Sequence, residues 1–175
     1  MISRQSAFAG ALLFSALACG GGLEEVPEDL RSTSTQSSLT IDQRSFRLGS
    51  IAAFAEMVGA GVKKLALSAP MEAEEMDALL EEAERIVGEQ GVELYRELDF
   101  LVTDLFSAEL TEGKQVLLIY RGDTAEEYLQ LKAEKRKLEE LGNYTGEARL
   151  EIARRMGALL SYSEAKIAAE LEDQG

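Results

Sequence analysis

Residues 115–120 read QVLLIY, five apolar side chains in succession behind a single amide, with Gly113 before them and Gly122 after. A half-exposed strand would alternate apolar and polar side chains with period 2, so an unbroken run of this length suits a strand covered on both faces. The stretch is expected to be the middle strand of a sheet.

Upstream, residues 92–102 place Val92, Leu94, Leu98, Phe100 and Val102 in alternation, with Arg96 out of pattern. This predicts a half-exposed strand, or two strands with a bend near Asp99. Residues 107–114 are polar and carry Gly113, which suits a connection, and 62–68 (VKKLALS) predict a further short strand. Between the outer strands, Pro70 with Glu72, Glu74 and Glu75 announces a helix that runs to about Gln90, with Met76, Leu79, Leu80, Ala83 and Val87 as its buried stripe. Its carboxylates are spread around the helical turns without the Asp-rich loop that wraps calcium, so they read as a solvated face.

Downstream, Asp123 and Thr124 stand at capping-box spacing from Glu126 and Glu127, so a helix begins directly after the central strand and reaches Leu141. Its inward residues are Tyr128, Leu131, Leu138 and Leu141, and Lys132, Lys135, Arg136 and Lys137 form a basic cluster. A helix over 146–160 presents Ile152, Ala153, Met156, Leu159 and Leu160, and Ser161 with Glu164 caps a last one ending near Leu171. Before all of these, 47–60 carry Leu48, Ile51, Ala55 and Val58 at helical spacing, widened by Phe54 and Met57, and Gly59 and Gly61 stop that helix. It is read as a core helix, since its ends lack the basic cluster of an interfacial one. The glycines and lysines of 59–64 mimic a phosphate loop but follow a helix and precede a strand, the reverse of the required context. Together these segments predict an α/β domain (α+β as the alternative): a small mixed sheet of 3–4 strands covered by about five helices.

Composition bounds the chemistry. Histidine is missing and cysteine occurs once, which removes the usual neutral base, the commonest metal ligand, disulfides and zinc clusters. No cofactor and no metal are expected. The net charge of −14 repels nucleic acid, so a nucleic-acid partner is excluded.

The amino terminus has its own logic. Arg4 lies in a short polar start, residues 7–18 are uncharged, and Ser15-Ala16-Leu17-Ala18 leads into Cys19. The apolar run falls short of the roughly 20 residues that span a bilayer. Residues 15–19 (SALAC) resemble the lipobox of bacterial lipoproteins, although Ala16 stands where that family prefers Leu. The resemblance implies that Cys19 receives a diacylglycerol and becomes the new amino terminus. Ala16-Leu17-Ala18 also satisfies the small-x-small rule of ordinary signal cleavage, which leaves a soluble exported protein with one thiol as the other reading. The expected organisation is a signal peptide over 1–18, a flexible lipid-proximal tether over 19–45 and a single globular domain over 46–175. The tether is rich in Gly, Ser and Thr, and its span is about 28 Å, taking roughly 5.5 Å times the square root of its length. Gly20, rather than Asp, follows the cysteine, so by the same resemblance the protein is expected at the outer membrane, facing the periplasm or the cell surface.

Two functions remain open. The first is a non-catalytic envelope lipoprotein whose tethered domain binds an envelope protein or a small acidic ligand. The second is a small enzyme using Asp, Lys or Tyr for acid–base work, which would need Asp99 or Asp104 beside Lys132 or Tyr162 in a closed pocket. If the strands before Ser68 and Arg121 are parallel, Ser68, Arg121, Asp123 and Thr124 meet on one rim at two helix starts, a place that suits an anionic group. Capping alone accounts for the same residue types. Arg121-Gly122-Asp123 is read as strand end, turn and helix start rather than as an adhesion triplet. The purified native protein should begin at Cys19 and carry a lipid, so its intact mass should exceed that of residues 19–175. A mass equal to the unmodified chain would select the soluble reading.

Overall fold

The computed structural model describes residues 42–106 and 108–173. The signal segment 1–18, Cys19 and the tether as far as residue 41 lie outside the described residues. Helix α1 spans Gln43–Gly59 and so begins inside the expected tether, because the Asp42 side chain caps it by accepting the Ser45 N–H at 3.1 Å. Strand β1 (Leu65–Leu67), helix α2 (Ala73–Glu89) and strand β2 (Glu93–Glu97) follow. One turn of helix, α3 (Ala108–Thr111), then interrupts the expected polar connection ahead of strand β3 (Val116–Tyr120). Helices α4 (Thr124–Glu140), α5 (Gly146–Leu159) and α6 (Glu164–Asp173) complete the chain. Among the described residues, none of these helices is long and apolar enough to cross a membrane.

The result is a small α/β fold in three layers, with β3 at its centre. Strand order is β1-β3-β2, and both neighbours pair with β3 antiparallel. Val116 and Leu118 point with Leu65 into a core built from Tyr128, Leu131, Ile152, Met156 and Ile167. Leu117 and Ile119 point with Ala66 into a second core made with α1 and α2, where Leu48, Ile51, Ala55 and Val58 meet Met76, Leu79, Ala83 and Val87. The period-2 pleat thus sends successive β3 side chains to opposite layers, which is why the strand had to be apolar throughout.

Several expectations are corrected. The sheet is antiparallel, not mixed: β1 and β2, joined through α2, share a direction only because both oppose the strand inserted between them. The alternation after Glu97 does not continue as strand, because Glu97 pairs with Val116, the first residue of β3, and no partner remains beyond it. Phe100, Leu101 and Leu105 instead fold into the core beside α4 and α5, leaving Leu98 64% exposed. Leu141 is 62% exposed, since α4 ends at Glu140 and the residue after it turns outward. Gly61 takes the left-handed conformation after α1 (φ 75°), whereas Gly59 lies within the helix, where a Cβ would come 2.9 Å from the Gln90 carbonyl oxygen. Ser163, not Ser161, caps α6, accepting the Lys166 N–H at 3.2 Å.

The two-sided burial of β3 makes it the most sensitive element. Leu117→Ala should cost about 2–5 kcal/mol in chemical denaturation, while Leu98→Ala should change stability by no more than about 0.5 kcal/mol.

Candidate functional site

A cavity of about 550 Å³ opens along the free edge of β1. Phe54 of α1 forms one wall, Phe100, Phe106 and Val116 a second, and Leu160 and Tyr162 of the α5–α6 turn a third. Leu67 and Ser68 lie at the strand edge, and Lys63, Lys114 and Thr111 bring polar groups to an otherwise apolar lining. Phe100 meets Phe106 edge to face at 5.6 Å between centroids, which stiffens the aromatic wall.

The third wall is held by polar contacts from Lys63 and Lys64, the two residues that lead into β1. Ser161 has φ 60°, a conformation that non-glycine residues rarely adopt, and its Oγ accepts the Lys64 N–H at 2.9 Å. Next to it, Lys63 Nζ donates to the Leu160 carbonyl at 2.7 Å and sits 5.4 Å from the centre of the Tyr162 ring. Burial pushes the Lys63 ammonium below the ordinary lysine range. The turn after α5 is therefore docked on the lead-in to β1, and Leu160 and Tyr162 face the cavity as a consequence.

The residues singled out in the sequence do not converge. Ser68 lines the cavity, but its hydroxyl accepts the Leu117 N–H at 2.9 Å and donates to the Ala69 carbonyl at 3.0 Å, extending the ladder past the end of β1. Arg121 lies at the opposite end of the sheet, because in an antiparallel pair the end of β1 is beside the start of β3. It is exposed, with one guanidinium contact to the Gly59 carbonyl at 3.4 Å. Asp123 is exposed and makes no side-chain cap, and Thr124 donates to the Arg121 carbonyl at 2.9 Å. The common rim required parallel strands and is not formed.

The acid–base arrangement is assembled only in part. Lys132 Nζ lies 3.3 Å from the Asp99 carboxylate, but Asp99 is 75% exposed and the adjoining hollow holds only about 190 Å³. Lys132 also donates to Glu97 Oε1 at 3.0 Å and to the Asp99 carbonyl. Asp104 pairs instead with Arg149, and Tyr162 is in the large cavity. The Lys132 cluster is structural. Glu97 is buried, accepts the Asp99 N–H at 2.8 Å and keeps Oε2 without a hydrogen bond of good geometry. The Tyr128 hydroxyl accepts the buried Leu101 N–H at 2.9 Å, and its own ionisation is pushed far up, first by burial and further by Glu97. Together these groups fold the segment after β2 back onto α4. Among the described residues, no group of three or more His, Cys, Asp or Glu side chains is placed to hold a metal.

Sequence reasoning missed Lys63, Lys114, Phe54 and Phe106 as lining groups. Their spacing along the chain carries no common period, and only folding brings them together.

Lys132→Met would leave the Glu97 charge buried without its cation and should cost about 3–5 kcal/mol in urea denaturation. Arg121→Ala, by contrast, should stay within about 0.5 kcal/mol of the parent. Comparisons with family models, with curated proteins and with solved structures return no match, so function rests on the site alone.

Proposed function

We propose that this protein is a bacterial envelope lipoprotein, tethered to the outer membrane through a lipid on Cys19, whose folded part is a non-catalytic domain that binds a small ligand. The carrying observation is the 550 Å³ cavity at the β1 edge. Its volume lies inside the range of about 300–1,000 Å³ found for small-molecule sites, and apolar walls with a few polar groups are the usual composition of such sites. Interiors close-pack, so a hollow of this size forgoes contacts that a filled core would make. Its walls are also held by specific bonds at Ser161 and Lys63, which favours a site kept open over a packing defect. The lipobox-like segment supports the tether, and it would place the cavity within reach of molecules in or near the membrane.

Thr111 lines the cavity from α3 and is half-buried, so a larger side chain there can fill the space without entering the core. Thr111→Trp should abolish the fluorescence enhancement of an apolar dye such as 1,8-ANS while leaving the melting temperature within a few degrees. Undiminished dye binding in a folded variant would refute the cavity as the ligand site.

A further inference from the structure

The chain has 32 acidic and 18 basic residues, and most cations of the described domain have a carboxylate within 4.0 Å. Arg44, Arg47, Arg85, Arg96, Lys132 and Lys135 are paired in this way, as are Arg136, Arg149, Arg154, Arg155 and Lys166. Lys63 and Lys114 have no such partner among the described residues, and both line the same apolar cavity. Lys64, Arg121 and Lys137 also lack one, but none of the three lines this cavity. Lys63 is a particular case, because burial lowers its pKa and no carboxylate acts on it in the opposite direction. Its ammonium is oriented by a carbonyl and an aromatic ring, both of which leave its charge uncompensated. Lys63 stands at the Leu65 end of the ladder and Lys114 at the Gln115 end. In this acidic chain the ammonium of Lys63 beside the Tyr162 ring therefore makes a place for an anionic head, with the apolar lining ahead of it for an apolar body.

Resting on the cavity reading above, we propose that the ligand is a single long-chain fatty acid, with its carboxylate against Lys63 beside Tyr162 and its alkyl chain running along the β1 edge past Phe54 and Phe106. The cavity volume fits one small amphiphile. A carboxylate is favoured over a phosphate monoester because a single charge costs less to bring into a mostly apolar lining than a dianion. Tyr162 belongs to the same lining, and a phenolic hydroxyl is a donor that a carboxylate can accept from.

The test is displacement of the fluorescent fatty acid cis-parinaric acid from the purified, delipidated full-length chain. Palmitic acid should displace it at least tenfold better than hexadecan-1-ol, and myristic acid should be roughly tenfold weaker than palmitic acid, the transfer value of two buried methylenes. In the variant Lys63→Gln, the amide introduced can still donate to the Leu160 carbonyl. There palmitic acid should fall to the level of the alcohol while the alcohol keeps its affinity. Should that variant fail to melt like the parent, Tyr162→Phe should still weaken palmitic acid at least threefold. Equal binding of acid and alcohol by the parent would overturn the head-group assignment and leave the cavity reading standing. Tighter binding of lysophosphatidylglycerol than of palmitic acid would assign the head to phosphate and overturn the proposal. If neither acid nor alcohol displaces the probe, the fatty-acid proposal fails, and the dye experiment on Thr111→Trp decides separately whether the cavity binds anything.

Discussion

The structure depends on the burial of β3 on both faces. Leu117, Leu118 and Ile119 are fully buried, and each contributes about 1.5–3 kcal/mol through its removal from water. Because their side chains alternate between two layers, neither helical layer can form its core without the strand. The edge strands contribute less: β1 is three residues long, and Tyr95 of β2 is 37% exposed. The central strand therefore sets the position of everything else, including α1 and α2 on one side and α4, α5 and α6 on the other.

Short edges have a structural consequence. In an antiparallel ladder the hydrogen-bonding groups of alternate residues point away from the partner strand, and β1 shows that side to the cavity at Leu67. Pro70 and the Ser68 hydroxyl bond end the strand, and Met71 rejoins β3 through a bridge to Gln115. The chain thus leaves and re-enters the ladder beside the cavity, and a free edge that invites another strand is limited to a few residues. The α5–α6 turn covers the start of β1 through Ser161 and Lys63, so the hollow is bounded at both ends.

A second constraint comes from buried charge. Glu97 is 3% exposed at the end of an edge strand, an expensive place for a carboxylate unless it is paired. Lys132 compensates it, and the same carboxylate captures the Asp99 N–H. The chain is thereby reversed at the end of β2, and Phe100 is carried into the aromatic wall of the cavity. Charge pairing at one end of the sheet shapes an apolar site at its edge.

What the sequence determined alone was local. The unbroken apolar run identified the central strand, and the 3.6-residue spacing of Leu48, Ile51, Ala55 and Val58 and of Met76, Leu79, Ala83 and Val87 identified the faces that are now buried. Periodicity reports one residue's relation to its neighbours in the chain, so it could place elements and their inward sides. It could not report strand direction, since antiparallel and parallel partners of β3 need the same side chains on its two faces. The expected rim of Ser68, Arg121, Asp123 and Thr124 failed for that reason. Termination at Glu97 was equally hidden, because a strand stops where its partner stops and the partner is distant in the chain. The cavity was hidden most completely: Phe54, Lys63, Phe106, Lys114 and Tyr162 come from separate segments, and only the tertiary packing of those segments makes them one surface.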